Sequence, residues 1–180
     1  MKDEEQLLIQ KAKTGDNAAF GKLYDLHLPK IYRFVFLKVG RKQDAEDITQ
    51  QVFTSAWQSM KSYEHKGFPF SSWLYRIAGN AVIDYYRTSK TSVSIDQVPE
   101  EYFSESSDAE QNIDTAINMS TVRVALTKLD HDQQSVLLMK FVEDLTNKEI
   151  AETLGKTEGA VRVIQHRALK QLKAKLDEQA

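Results

Sequence analysis

A chain of 180 residues with 41% hydrophobic content can form one medium helical core or two small ones. It contains no Cys, which excludes disulfides and thiolate metal sites and fits a reducing compartment. The N-terminus MKDEEQLLIQKAK is charged where a secretory signal is apolar, and no apolar run reaches membrane-span length, so a soluble cytoplasmic protein is expected. The net charge of −2 hides an uneven distribution: 13 basic and 10 acidic side chains in residues 1–87, one and seven in 88–115, ten and nine in 116–180.

The punctuation predicts helices throughout. A first covers residues 4–14 and stops at Gly15, after which Asp16 caps a second beginning NAAFGKLYDLH. Pro29 is expected to open a third, KIYRFVFLKV, which ends at Gly40. Asp44, with Asp47 three residues on, reads as a capping box for AEDITQQVFTSAWQSM. FSSWLYRIAGNAVIDYYR then predicts a helix from Ser71 or Ser72 to Arg87. It carries Phe70, Trp73, Leu74, Ile77 and Ala81 on one face and Tyr75, Val82, Ile83 and Tyr86 on the other, so it is either buried on two sides or keeps one side for a ligand.

Helical periodicity fails over residues 88–112, which are rich in Ser and Glu and contain Pro99; this stretch reads as a flexible acidic linker. Beyond it, Asp130 and Gln133 form a cap, and Thr146 with Glu149 makes a capping box for a short helix that Gly155 ends. Thr157 caps a last helix in which Val161, Ile164, Ala168, Leu169, Leu172 and Leu176 recur at spacings of three and four. Helix, short turn with Gly, helix is the helix-turn-helix arrangement. The expected fold is all-α: two small helical domains, residues 1–87 and 113–180, the second with a helix-turn-helix.

Two groups of residues are candidates for contacts. Residues 57–87 hold eight of the 17 aromatic side chains, and residues 60–90 carry five basic against two acidic groups. Rings interleaved with cations suit a single-strand platform, where rings stack on bases and cations follow phosphates. Most of these rings serve a core; Tyr63, Lys66 and Phe68, in a stretch broken by Gly67 and Pro69, are the better contacts. The second group lies on the last helix, opposite its apolar stripe: Arg162, Val163, His166, Arg167, Lys170 and Lys173. A basic surface suited to the helix dipole accounts for that face as well. However, Arg162 and Val163 occupy the first turns, where a recognition helix reaches base edges, and the short helix before it serves as a brace. His27, His65, His131 and His166 never fall at metal-ligand spacing, and no glycine loop is built to cradle phosphate, so neither an enzyme nor a metal protein is expected.

In order along the chain, GD..AF..LY (Gly15, Asp16, Ala19, Phe20, Leu23, Tyr24), DAEDITQQVFTSAW, FSSWLYRIAGNAVIDYYR, a polar linker and LDHDQQSVLLMKFVEDLTNKEIAETLGKTEGAVRVIQHRALKQL resemble the extracytoplasmic-function (ECF) group of bacterial RNA polymerase sigma factors. The resemblance implies that Asp44, Asp47, Gln50, Gln51, Phe53 and Trp57 dock on the coiled coil of the polymerase β′ subunit. It implies that Lys61, Tyr63, Lys66, Phe68, Arg76, Asn80 and Arg87 belong to the part that opens promoter DNA at the −10 element and holds a flipped base. It further implies that Thr157, Arg162, Val163, His166, Arg167, Lys170 and Lys173 read the −35 element in the major groove, while the same domain leans on the β flap. An anti-sigma factor is an implied partner, and no catalytic residue, metal or cofactor is implied. Gln51 replaces the Glu of many members, and Leu129-Asp130 replaces their Leu-Pro. The alternative, a stand-alone helix-turn-helix regulator, accounts for residues 129–176 but leaves the aromatic and basic N-terminal half without a task.

Overall fold

Three acidic side chains in its first turn and lysines in its last suit helix α1 (Lys2–Lys13) to the helix dipole. Gly15, at φ +95°, reverses the chain, and Asp16 accepts from Ala19 N–H to start α2 (Asn17–Val39). His27, buried on α2, donates from Nε2 to Glu5 (2.8 Å) and ties the two helices together; burial lowers its pKa even so. The computed structural model describes residues 2–89 and 121–178.

Pro29 does not open a helix. It lies inside α2, which runs unbroken from Asn17 to Val39. Proline deprives the carbonyl four residues back of its partner, here Asp25, but Asp25 and Pro29 are both exposed, so water can satisfy that carbonyl. On the opposite side Leu23, His27, Ile31 and Phe34 are buried, and their packing holds the helix through the break. α2 ends at Gly40, whose φ of +80° lets its N–H reach Phe36 O.

Helix α3 (Lys42–Ser59) also departs from expectation, because its N-cap is Arg41 and no side chain caps it. Asp44 sits within the first turn and accepts instead from Tyr85 Oη (2.8 Å), with Arg41 at 3.5 Å. A 3-10 turn (Met60–Ser62) and an irregular stretch lead to α4 (Phe70–Ser89), which begins one residue before the expected start and runs two past the expected end. Phe34 on α2 and Tyr75 on α4 meet edge to face at 5.2 Å in the middle of the first unit. The expected linker lies outside the described residues from position 90 onward.

The second unit comprises α5 (residues 121–127), α6 (His131–Phe141), α7 (Asn147–Leu154) and α8 (Glu158–Asp177). Both expected capping boxes form: Asp130 with Gln133 on α6, and Thr146 with Glu149 on α7. No residue is in a strand among those described, so the architecture is all-helical, as expected.

The two units meet along a seam of polar pairs set beside apolar contact, their buried hydrophobic residues forming one cluster and Tyr86 packing on His131 (5.4 Å). Glu143, its side chain 1% exposed, accepts from Arg33 Nε (2.9 Å) and Tyr75 Oη (2.7 Å). Lys38 of α2 donates to Ser135 Oγ (2.6 Å) and to His131 O (3.4 Å) of α6. At Gly40 any Cβ would collide with the guanidinium of Arg123, which also lies over the Phe36 ring at 5.7 Å. Burial pushes the Lys38 ammonium down to about 8, with Asp132 opposing the shift.

This seam makes stability depend on pH in an unusual direction. Below pH 8 Lys38 is charged whether the chain is folded or unfolded, and the cost of burying that charge is fully present. As pH rises through about 8 the folded form gives up the proton first, and the gain levels off near the ordinary lysine value of 10.5. Unfolding free energy should therefore rise by up to about 3 kcal/mol across this window. Lys38→Met should flatten the profile; denaturant melts from pH 7 to 10 check this, and equal slopes in both proteins would remove Lys38 as the cause.

Candidate nucleic-acid interface

Helix α8 presents its basic face because its other side is committed. Val161 and Ala168 are buried, with Ile164 and Leu172 partly so, against α6 and α7. Leu169, assigned to the apolar stripe from its spacing, is instead 41% exposed. Thr157 Oγ1 accepts from Ala160 N–H (3.1 Å), so its lone pair caps the helix while its hydroxyl proton stays free to donate. Arg162, Val163, His166, Arg167, Lys170 and Lys173 are all exposed on one face, with Val163 48% exposed among the cations. Arg162 pairs with Glu158 one turn back at 3.3 Å. Both groups are well exposed, and such a pair contributes too little to keep Arg162 from a better partner.

Helix α7 sets the angle of α8. Gly155, at φ +63°, ends α7 in the left-handed conformation, donating to the α7 carbonyls, and Ile150 and Ala151 are buried beneath. The turn therefore rests on a glycine that needs no Cβ there and on two local caps.

A cleft of about 250 Å³ opens on the first unit between the 3-10 turn, residues 63–69 and the start of α4. Tyr63, Lys66, Phe68 and Arg76 line it together. Tyr63 is only 6% exposed, its ring packed on Phe70 (5.3 Å) and Trp73 (4.8 Å), so it forms the floor of the cleft and belongs to the core. Phe68 is half-buried and Lys66 exposed at the rim. Asn80 lies one turn beyond Arg76 in a neighbouring groove with Ile83 and Asp132, Lys61 stands exposed on the 3-10 turn, and Arg87 is exposed and paired with Asp84 at 2.9 Å. The structure thus brings four of the seven candidates into one concavity and leaves three outside it.

Sequence reasoning missed two features of the cleft. Ser72 is 3% exposed, lines the cleft, and its hydroxyl has no hydrogen-bond partner among the described residues. In the sequence it offered only a possible helix start. The second is the reach of α7, whose Glu152 and Thr153 line the far wall.

On α3 the inward residues are Ala45, Ile48, Val52, Phe53 and Ala56. Phe53 is buried edge-on to Tyr24 (4.7 Å), and Trp57 is half-buried against Phe20 (4.9 Å). Asp47, Gln50 and Gln51 point outward and are exposed. Asp44 lies between, held by Tyr85, whose hydroxyl is pushed up to about 12 by burial and then by the bond to Asp44. Of six docking candidates, three form a free polar surface, one is held at its edge and two serve the core. Among the described residues no helix is long and apolar enough to cross a membrane, and no cluster of His, Asp or Glu is placed to hold a metal ion.

Two helical units, one with a ring-and-cation cleft and one with a helix-turn-helix presenting a basic face, define a helical protein of the nucleic-acid-binding kind. Residues 23–91 match the family model for Sigma-70 region 2, and residues 125–174 match that for Sigma-70 region 4. The chain is 30% identical over 177 residues to the ECF RNA polymerase sigma factor BldN of Streptomyces coelicolor, with 96% of this chain and 66% of BldN covered. It is 29% identical to the ECF RNA polymerase sigma factor SigW of Bacillus subtilis, covering 93% of this chain and 94% of SigW. Its fold matches that of CnrH, solved in complex with the cytosolic domain of CnrY, at a TM-score of 0.75 and 24% identity over 98% of this chain and 99% of the other. The chain belongs to the sigma-70 family, in its ECF group of RNA polymerase sigma factors. It is therefore a factor for transcription initiation and not a stand-alone helix-turn-helix regulator, which would have no use for a region 2.

Proposed function

We propose that this chain docks on the β′ coiled coil of core polymerase through the outer face of α3 (Asp44, Asp47, Gln50, Gln51). In this reading the α8 face reads −35 duplex and the cleft holds −10 bases of one strand after the promoter opens. The observation that carries it is the division of surfaces: a convex basic helix on one unit and a concave ring-lined cleft on the other. Duplex bases are read from the groove by a helix, whereas an unpaired base needs a pocket. Residues 1–87 and 113–180 are the two working domains, joined by residues 88–112, and the second also contacts the β flap. The chain performs no catalysis of its own and works in the cytoplasm on polymerase and DNA. A comparable partner here, an anti-sigma factor, is supported by the similarly folded RpoE of Bartonella quintana, solved in complex with the anti-sigma factor NepR, and by CnrH, solved in complex with the cytosolic domain of CnrY.

Transcription by purified core enzyme on a promoter library tests the whole reading, since only a sigma factor confers specific starts. The −10 assignment is tested at the rim of the cleft, because truncating Tyr63 would also remove core packing. Lys66→Ala with Phe68→Ala should lower open-complex formation on duplex promoters by about 1–3 kcal/mol per lost stacking contact. A pre-melted bubble should restore most of the loss. Equal defects on both templates would place these two residues outside strand capture.

A further inference from the structure

Two of the cleft's DNA-facing candidates are already occupied by α7. The guanidinium of Arg76 donates from Nε to Thr153 O (3.2 Å) and from a terminal nitrogen to Glu152 O, the closing carbonyls of α7, with the Glu152 carboxylate at 3.6 Å. The ammonium of Lys148, from the first turn of α7, lies over the Phe68 ring at 5.7 Å. Carbonyl oxygens thus sit where Arg76 would meet phosphate oxygens, and a cation covers a ring face on which a base would stack. Behind these contacts the seam holds the units together through Glu143 with Arg33 and Tyr75, and through Lys38 with Ser135. The charged and hydroxyl groups of the seam can be rehydrated on separation, which lowers the cost of opening below that of a wholly apolar interface, although Tyr86 also packs on His131 (5.4 Å) across it.

We infer that α7 is an internal stand-in for the single strand: it and single-stranded DNA compete for Arg76 and Phe68, so that closing the seam and holding the strand exclude one another. This rests on the −10 reading above. It also predicts a selective block. The α8 face is exposed in the closed chain, so duplex binding is untouched while strand binding is suppressed. Apparent strand affinity is then the intrinsic affinity multiplied by the open fraction.

The chain has no cysteine, so dyes can be placed at Lys22→Cys on α2 and Gln171→Cys on α8, both exposed and outside every proposed contact surface. Energy transfer in the full-length chain then reports closure while a random-sequence single-stranded 12-mer is titrated. Arg33→Met and Glu143→Gln each loosen the seam, one from each unit. Arg33 is half exposed, so its replacement leaves α2 intact if Glu143→Gln fails to fold. The expected result has three parts: transfer in the parent chain falls as the 12-mer saturates, both variants start with low transfer, and both bind the 12-mer about tenfold tighter if roughly one parent chain in ten is open. Affinity for a duplex of the same length should not change. Binding of the 12-mer with transfer undiminished, or open variants with parental affinity, would overturn the competition and leave the −10 reading standing. Variants that open yet bind no strand at all would overturn the −10 reading, and the competition with it.

Discussion

Asp47→Arg should lower affinity for core polymerase at least about tenfold while leaving the melting temperature where it is. The structure separates these two effects. Asp47 is exposed on the outer face of α3, and its carboxylate makes no hydrogen bond or ion pair among the described residues. It caps nothing, because α3 starts at Lys42 behind Arg41 and has no side-chain cap. A surface substitution free of such roles stays within about 0.5 kcal/mol in stability, whereas placing a like charge against a docking partner costs several kcal/mol. Asp44→Asn is the contrasting change, since it also weakens the bond to Tyr85 and should shift both quantities. Titrating labelled chain with core enzyme, alongside thermal melts, decides the matter. Unchanged affinity in Asp47→Arg would move the docking surface off α3.

On the α8 face three substitutions should separate by kind. Arg162→Ala should cost about 1–3 kcal/mol and relax one position of the −35 element, because a guanidinium can pair with guanine O6 and N7. Release from Glu158 costs little, so the pair seen at 3.3 Å does not blunt the effect. Lys173→Ala should weaken binding evenly across sequences and make the salt slope shallower by about one unit. Val163→Ala should matter only where a thymine methyl meets the exposed valine. Replacing each −35 thymine by uracil in turn removes one methyl at a time. If no position responds in the parent chain, or one responds equally in Val163→Ala, Val163 is plain surface and base reading falls to its charged neighbours.

What the sequence made legible was local. Asp16, Asp130, Thr146 and Thr157 all cap as expected, because a side-chain oxygen bonding an N–H three residues on is encoded within four letters. The same grammar failed where packing outweighed it. Pro29 sits inside α2 because core contacts across the helix offset the lost bond, and Asp44 is drawn from capping α3 by a tyrosine 41 positions away. Composition pointed to the stretch from Tyr63 to Phe68 but could not say that Tyr63 would be the floor of the cleft and Phe68 its rim. The seam was illegible altogether. Arg33 and Glu143 are separated by 110 positions, Tyr75 and Glu143 by 68, and no periodicity links residues that far apart. Nothing within a few letters of Glu143 or Lys38 marks either for burial, which follows only from the meeting of two units.

With α7 seated on the cleft, Arg162, Arg167, Lys170 and Lys173 still face solvent. Phosphate contacts of that kind let a protein hop and slide along duplex DNA. Unpaired stretches at replication forks and nascent transcripts would find a weaker grip on the same chain, because Arg76 and the Phe68 ring are already engaged by α7. A permanently open cleft would turn every such stretch into a trap, lengthening each false stop during the search. If α7 screens the cleft as inferred, the time lost to decoys falls, and the strand site is exposed only when something pulls the two halves apart.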